Sequence, residues 1–267
     1  MLKENEVLKI ENLSIQFGGL KAVDDLSITI NEKEIYGLIG PNGAGKTTVF
    51  NCITQFYKPN AGKIYFNGHK GQIDLTHLKV HQVIRQGLVR TFQNVELIRE
   101  LSILDNVMIG AHIDFTTGVF AQTFRTPKAR KEEKELIKKA EKILHSLGIY
   151  ERKDLLVMGQ PYGILKKVEL ARTFMSNPRL IILDEPAAGL NDTETMQLAQ
   201  TIRMVRDEMD CTVLLVEHDM RLVMDVCDRI CAINFGKFLA EGSPKEIQTN
   251  PLVQEAYLGT SEVKDHE

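Results

Sequence analysis

The chain has 267 residues and a formal net charge of −3. This length allows one large domain with a subdomain, built around a sizeable core. The slightly acidic balance gives no support for nucleic acid as a partner. The sequence has neither an apolar run long enough to span a bilayer nor an N-terminal secretory pattern, so we expect a soluble, cytoplasmic protein that reaches a membrane only through a partner.

The cysteines indicate buried free thiols rather than a metal site. The four of them are scattered along the chain, at Cys52, Cys211, Cys227 and Cys231. The last two are four residues apart, but no second Cys pair or nearby His completes a ligand set. A free cysteine behaves as a small hydrophobic residue, so we expect all four to be buried.

The N-terminal part alternates in hydropathy as antiparallel strands do. The pattern predicts strands over residues 7–15, 21–30 and 63–66, separated by Gly- and Asn-rich turns. Within this part, the strand-like run Ile35–Ile39 leads into a Gly-rich loop, and a helix-like run Thr47–Ile53 follows. Antiparallel strands therefore lead into an α/β core.

The Gly-rich loop fits the phosphate-loop pattern G-x-x-x-x-G-K-[ST] in its required strand–loop–helix context. Glycines let the backbone turn several N–H groups inward, and the helix N-terminus adds partial positive charge. Lys46 would reach the β- and γ-phosphates, and the Thr47 hydroxyl would bind Mg²⁺. The predicted phosphate-binding residues are Gly40, Pro41, Asn42, Gly43, Ala44, Gly45, Lys46, Thr47 and Thr48.

From residue 75 the sequence becomes mainly helical. Helices are predicted over 78–86 and 103–112, and a third begins at Pro127 after the N-cap Thr126 and ends before Gly148. An apolar stripe at helical spacing marks the buried face of this third helix, at Leu136, Ala140, Ile143, Leu144 and Leu147. Residues 94–165 are therefore predicted to be a helical insertion into the α/β core.

The C-terminal part returns to alternating strands and helices. The pattern predicts helices over 168–176 and 194–209 and strands over 180–183, 211–216, 229–233 and 237–240. A small helix capped by Ser243 follows. The predicted parts of the chain are residues 1–93 and 166–241 for the nucleotide-binding core, 94–165 for the helical insertion and 242–267 for a C-terminal tail.

Three candidate functional side chains, one for the metal and two catalytic, lie at or just after the ends of apolar strands, where parallel sheets carry their functional groups. Asp184 ends the strand over 180–183 and is placed to hold Mg²⁺ through water. Glu185 follows it and is placed to orient or deprotonate a water that attacks the γ-phosphate. His218 comes soon after the strand over 211–216 and could bond a γ-phosphate oxygen.

The chain resembles the ATP-binding subunit of an ABC transporter, because several motifs stand in that family's order. They are the Walker A loop over 40–47, the Q-loop Thr91-Phe-Gln93-Asn, the signature region Gln160–Ile164, Walker B over 180–184 followed by Glu185, the D-loop over 188–192 and the switch His218. The resemblance covers nearly the whole chain. It implies an α/β fold, with a P-loop NTPase core of RecA type, an antiparallel β subdomain and a helical insertion.

The resemblance also implies ligands and roles. The cofactors would be ATP and Mg²⁺, with Thr47, Gln93 and Asp184 around the metal. Gln93 would also touch the attacking water and couple the site to a membrane partner, and Phe17 would stack on adenine. Two such ATPases would close around two nucleotides, each pocket completed by the signature region of the other chain.

One branch of the family fits best, the LivG-like ATPases of branched-chain amino acid importers. The stretches that carry this likeness are 106–112, 125–130, 161–163, 184–191, 217–220 and 256–259. The expected partners are a sister ATPase or a second copy, two transmembrane permeases and, indirectly, an external solute-binding protein. The expected location is peripheral, on the cytoplasmic face of the cytoplasmic membrane.

The signature region departs from the commoner family pattern Leu-Ser-Gly-Gly-Gln. Pro161, Tyr162 and Gly163 stand where the serine and its neighbours would contact the partner's nucleotide. Pro161 offers neither a hydroxyl nor a backbone N–H. The sequence leaves open how strongly this chain completes its partner's site.

Alternative functions remain open at this point. Similar ATPases serve urea or amide uptake and lipopolysaccharide export. A soluble ABC ATPase acting on nucleic acid or ribosomes usually carries a coiled coil, a zinc module or two nucleotide domains, and the sequence has none of these. A GTPase is remote because the chain has no Asn-Lys-x-Asp motif.

Overall fold

The computed structural model describes residues 2–90, 97–113 and 126–258. The chain forms two compact units. The first comprises Met1–Arg90 and Arg179–Glu267, and the second comprises Thr91–Pro178. The chain therefore leaves the first unit and returns to it, as an insertion does.

The described strands belong to the first unit. In chain order they are β1 (Glu6–Phe17), β2 (Leu20–Asn31), β3 (Ile35–Ile39), β4 (Ala61–Gly68), β5 (Gly71–Asp74), β6 (Leu88–Arg90), β7 (Leu180–Asp184), β8 (Thr212–Val216), β9 (Arg229–Asn234) and β10 (Lys237–Gly242). They form two sheets. The smaller is antiparallel with the order β2-β1-β4-β5, and the larger has the order β10-β9-β3-β8-β7-β6.

The described helices occur in both units. In chain order they are α1 (Lys46–Ile53), α2 (Val80–Ile84), α3 (Ile103–Ile109), α4 (Pro127–Ser146), α5 (Tyr162–Phe174), α6 (Asp192–Glu208), α7 (Met220–Val226), α8 (Pro244–Thr249) and α9 (Pro251–Leu258). Short 3₁₀ turns follow α3 at Gly110–Ile113 and lie at Tyr150–Arg152.

The larger sheet is parallel from β9 to β6, and only β10 runs antiparallel to its neighbour. Its central strands β3, β7 and β8 are buried at all of their residues. Burial on both faces explains why their sequences are apolar throughout rather than alternating. Because parallel strands point the same way, the loops after β3, β7, β8 and β9 leave one edge of the sheet.

One hydrophobic core joins the two sheets of the first unit through α1. Leu8, Ile10 and Leu13 of β1 pack in the same cluster as Val49 and Phe50 of α1. The core-facing residues of β2 are the predicted ones, Leu26, Ile28 and Ile30, and all three are buried. The buried face of α1 fixes the helix against both sheets, and with it the loop that precedes the helix.

The described part of the second unit is helical. The predicted apolar stripe of α4 is buried, and Thr126 caps this helix by accepting a hydrogen bond from the Ala129 N–H. At the end of α3, Gly110 lies against α5 so closely that a Cβ would come 2.0 Å from the Arg172 carbonyl oxygen. The two helices therefore need glycine at this crossing.

Several element boundaries differ from those that the sequence predicts. The helix predicted from residue 168 begins at Tyr162, because Pro161 takes the N-cap position and starts the first turn directly after it. The predicted part boundary at residue 165 therefore lies inside α5, and the second unit continues to Pro178. Strand β5 and helix α7 were not predicted. Antiparallel pairing with β4 holds β5, and the Asp219 carboxylate caps α7.

All four cysteines are buried free thiols. Burial raises the thiol pKa to about 12 for Cys52, Cys211 and Cys231, and raises that of Cys227 still further. The thiolate, which is the reactive form, is therefore scarce at neutral pH. No helix in the described ranges has the length and apolar character needed to cross a membrane.

We predict that Gly110→Ala destabilises the protein by about 1–3 kcal/mol, because the new methyl group would overlap the Arg172 carbonyl. Gly163→Ala in α5 is the matched control, since a Cβ there meets no atom within 4 Å. That control should be neutral or more stable by about 0.5 kcal/mol. Urea unfolding of both variants checks this, and equal midpoints would show that the crossing tolerates a methyl group.

Candidate functional site

The predicted site residues of the first unit meet at the carboxyl edge of the parallel strands. The phosphate loop follows β3, Asp184 and Glu185 lie at the end of β7, and His218 follows β8. In the sheet order these strands are neighbours, with β8 between β3 and β7. Open α/β sheets bind ligands at this edge, so the fold brings together groups that are far apart in sequence.

The phosphate loop packs backbone against backbone, and this requires glycine at two positions. A Cβ at Gly40 would come 2.3 Å from the Ile233 carbonyl oxygen, and one at Gly45 would come 2.5 Å from the Ala22 carbonyl oxygen. Gly45, with a φ of 102°, is also the N-cap of α1. The loop is therefore wedged between β9 and β2, with the N-terminus of α1 at its end.

Lys46 closes the loop on itself. Its ammonium group donates hydrogen bonds of 2.6 Å to the Gly40 carbonyl and 3.1 Å to the Pro41 carbonyl. The side chain is buried, and burial lowers the pKa of Lys46, while Glu185 and Asp184 raise it in part. The lysine is thus held inside the loop, where its charge faces any phosphate that the loop receives.

A cavity of about 410 Å³ lies over the phosphate loop, in the size range of small-molecule sites. Its polar part is formed by loop residues from Asn42 to Thr48 and by Glu185. Its apolar part is formed by Phe17, Leu20 and Phe235, which are all exposed large hydrophobic residues. Phe17 is 46% exposed and makes an edge-to-face contact with Tyr57, with ring centroids 5.2 Å apart.

A buried ion pair neutralises the Walker B aspartate. The Arg90 guanidinium lies 2.9 Å from the Asp184 carboxylate, donates a 3.0 Å hydrogen bond to Asn51 and stacks 4.2 Å from the centre of the Phe50 ring. Burial raises the pKa of Asp184, and the arginine opposes that rise. Arg90 ends β6, the strand that pairs with β7, so the sheet itself places this cation.

The Thr47 hydroxyl and the Asp184 carboxylate are the hard oxygen ligands that Mg²⁺ prefers. Within the described ranges, no three His, Cys, Asp or Glu side chains cluster as a metal set. A magnesium site built from this loop would therefore take its other ligands from phosphate oxygens and water, as is usual for this ion. The donor set fits magnesium bound together with a nucleotide.

Glu185 and His218 lie next to each other but are not hydrogen-bonded. The His218 Nδ1 atom is 3.9 Å from Glu185 Oε1 and 3.7 Å from Glu217 Oε2, both longer than a hydrogen bond. His218 is 59% exposed, and Glu185 has a left-handed backbone with φ of 46°. A strained backbone angle at a polar residue is typical of functional sites.

Glu217 connects the loops that carry Glu185 and His218. Its carboxylate is fully buried and accepts hydrogen bonds from the backbone N–H groups of Ala187, His218 and Asp219. One oxygen thus binds the loop after β7 and the other binds the loop after β8. The buried carboxylate fixes the spacing between the two loops that carry Glu185 and His218.

The predicted signature residues lie at the start of α5 in the second unit. Pro161 is the N-cap, no described side chain caps this helix, and Tyr162 is exposed beside Lys166. A Cβ at Gly163 would meet open space. Gln93 and the rest of the predicted Q-loop lie outside the described residues.

Comparison with known proteins agrees with these motifs. The family model described as ABC transporter matches residues 23–188. The high-affinity branched-chain amino acid transport ATP-binding protein LivG of Salmonella typhimurium is 43% identical over 253 residues, which cover 95% of this chain and 98% of LivG. The corresponding protein BraF of Pseudomonas aeruginosa has the same identity and coverage. The chain belongs to the ATP-binding proteins of ABC transporters.

Two further matches refine this assignment. A crystal structure of an ABC transporter ATP-binding cassette in its ADP conformation superposes with a TM-score of 0.81 at 32% identity, covering 95% of this chain and 99% of the cassette. A family model described as branched-chain amino acid ATP-binding cassette transporter matches residues 239–263. The predicted family, fold class and ATPase activity are confirmed. The role of each site residue stays a prediction.

Arg90, Glu217 and Phe235 belong to the site but are not among the residues predicted from the sequence, and neither are Leu20, Lys21 and Ala22, which also line the cavity. Arg90 lies at the end of a strand, directly before the Q-loop motif. Glu217 follows a strand and begins the stretch 217–220. These positions in the sequence could have indicated a place in the site. Phe235 had no such signal, because its place over the phosphate loop depends on the pairing of β9 with β3.

We predict that Arg90→Met destabilises the nucleotide-free cassette by about 3–5 kcal/mol, because it leaves the buried Asp184 carboxylate without its counter-ion. The double variant Arg90→Met with Asp184→Asn should recover much of this loss. Arg203→Met, which breaks the exposed pair with Asp225, should cost less than about 1 kcal/mol. Urea unfolding measures all three, and equal losses for Arg90→Met and Arg203→Met would contradict the assignment.

Proposed function

We propose that this ATPase drives an ABC importer for branched-chain or closely related amino acids. The observation that carries the proposal is the 43% identity to LivG and BraF, because it extends over 95% of this chain and 98% of each relative. The match of residues 239–263 to the branched-chain model adds support from outside the common ATPase core. The ATPase itself does not contact the solute, so the assignment of solute rests on these relatives.

The phosphate loop binds the ATP phosphates through backbone N–H groups and Lys46. The lysine exchanges its contacts with the Gly40 and Pro41 carbonyls for the β- and γ-phosphate oxygens, which are stronger, charged acceptors. Thr47 and Asp184 would hold Mg²⁺, and Gln93 would approach the same ion. The bound ion would neutralise charge on the phosphates during transfer. The loop is preorganised for this role because its backbone is fixed by packing.

Glu185 acts on the attacking water, as general base or as the group that orients it. His218 donates to a γ-phosphate oxygen and keeps the water in place. The distance of 3.9 Å between these two side chains in the structure leaves room for them to tighten when substrate arrives, which is common in catalytic sites without substrate. Glu217 acts through them as a positioning residue.

The site works as half of a pair. A sister ATPase or a second copy of this chain would place its signature over the nucleotide bound here, and Pro161, Tyr162 and Gly163 would serve the partner's nucleotide in return. ATP bridges both chains and favours the closed pair; hydrolysis removes the bridge. Gln93 and the helical insertion transmit the change to two membrane permeases, supplied with solute by an external binding protein. The chain sits peripherally on the cytoplasmic face of the membrane.

We predict that Lys46→Ala raises the dissociation constant for ATP about 10- to 100-fold, because it removes a charged hydrogen bond to phosphate. Glu185→Gln should leave ATP affinity nearly unchanged and lower kcat by about 100-fold or more. Equilibrium binding and steady-state phosphate release measure the two effects. Turnover of the Glu185→Gln variant at the parent rate would remove Glu185 from the proposed role.

Solute uptake tests the transport assignment. In the source cell, loss of this chain should abolish uptake of labelled leucine, isoleucine and valine, and the parent chain should restore it while Lys46→Ala should not. Urea uptake and lipopolysaccharide export are measured in the same cells to test the alternative functions, and neither should change. Normal branched-chain uptake with loss of either alternative would overturn the assignment of solute while leaving the ATPase assignment in place.

A further inference from the structure

In the turn between β9 and β10, Phe235 combines an unfavourable backbone angle with an exposed aromatic side chain. Phe235 has a φ of 47° and the next residue, Gly236, has a φ of 76°. A bulky residue with positive φ is a conformational outlier, since glycine, asparagine and aspartate are preferred there. The Phe235 side chain is also 81% exposed. Neither folding nor burial of apolar surface accounts for phenylalanine at this position.

Backbone contacts fix this turn beside the phosphate loop. The Gly236 N–H donates a 2.9 Å hydrogen bond to the Ala44 carbonyl, and the Gly236 carbonyl accepts a 2.8 Å bond from the Asp24 N–H. A Cβ at Gly236 would lie 2.6 Å from the Ala22 carbonyl oxygen. The turn cannot shift without disturbing the loop, so Phe235 is held over the cavity by the same packing that shapes the phosphate site.

The cavity has a mixed lining, and Phe235 is one of its large apolar side chains. Phe17, Leu20 and Phe235 line it together with Lys21, Ala22, Glu185 and the phosphate-loop residues from Asn42 to Thr48. A nucleoside triphosphate needs both kinds of contact, because its phosphates are charged and its base has two π faces. Aromatic rings stack on bases with little regard to their edges.

We propose that Phe235 is a second aromatic contact for the nucleobase, in addition to Phe17, which lines the same cavity. The contact raises affinity for the nucleoside part and leaves phosphate binding to the loop. The ring stacks on the base and makes no hydrogen bond to its edge. The contact therefore raises the affinity for ATP and for GTP by a similar factor. This inference rests on the proposed binding of ATP at the phosphate loop.

The first test distinguishes the effect of the Phe235 ring on binding from the effect of the turn's backbone conformation. Phe235→Asn removes the ring and places a residue that tolerates positive φ, so folding should be preserved. It should weaken ATP binding at least about fivefold, weaken GTP binding similarly, and leave the affinity for inorganic tripolyphosphate within twofold of the parent. Phe235→Tyr should keep the parent affinities. Phe238→Asn is the matched control, because Phe238 is 49% exposed on the same hairpin but does not line the cavity.

The second test uses the absence of tryptophan from the chain. In Phe235→Trp the new side chain is the only indole, and stacking on a base should quench its fluorescence when ATP binds. Tripolyphosphate at saturation should leave the emission unchanged. The matched variant Phe238→Trp should respond to neither ligand.

The outcomes distinguish this inference from the proposed function. If the parent chain binds ATP, but Phe235→Asn binds it within twofold of the parent, the contact does not exist and ATP binding at the loop stands. If Phe235→Asn loses tripolyphosphate affinity as much as ATP affinity, the residue shapes the loop and not the base site, and the inference is overturned. If the parent binds no ATP, both ideas fail together.

Discussion

The contact of backbone with backbone around the phosphate loop is the constraint on which this site depends. Gly40 lies against β9 and Gly45 against β2, so the loop has no freedom to relax towards either strand. The burial of α1 in the core between the two sheets holds the loop from its other end. A loop confined by β9, β2 and α1 has a fixed backbone, and this lowers the reorganisation needed when phosphate binds.

Three buried charged groups of the site have partners within the protein. A single buried ion costs several kcal/mol unless a partner offsets it. Arg90 offsets Asp184, two carbonyl groups hold the ammonium of Lys46, and three backbone N–H groups hold the carboxylate of Glu217. One ion pair and five hydrogen bonds therefore offset the cost of burying these charged groups.

Much of this architecture follows from local sequence. The phosphate loop, the apolar strands β7 and β8 and the acidic pair after β7 each occupy a short continuous run, so their chemistry and strand context can be seen together. The buried stripe of α4 is equally local, because helical spacing marks it. These features were predicted with their residue numbers, and the structure places them in the predicted elements.

Other features depend on which strands become neighbours, and single residues do not encode that. Arg90 meets Asp184 only because β6 pairs with β7, and Glu217 joins two loops only because β7 pairs with β8. Phe235 reaches the cavity because β9 lies beside β3. The start of α5 differs from the prediction for a local reason: Pro161 is the N-cap, so the helix begins at Tyr162 and includes Gly163 in its first turn.

The burial of the four cysteines has a practical consequence for following the motions of such a transporter. Their raised thiol pKa values and lack of exposure make them poor nucleophiles at neutral pH. A cysteine introduced at an exposed position would therefore react with a maleimide probe far faster than the native thiols. Spin labels or dyes can then be attached to the unmodified background, so that opening and closing of the assembled pair can be timed in working complexes.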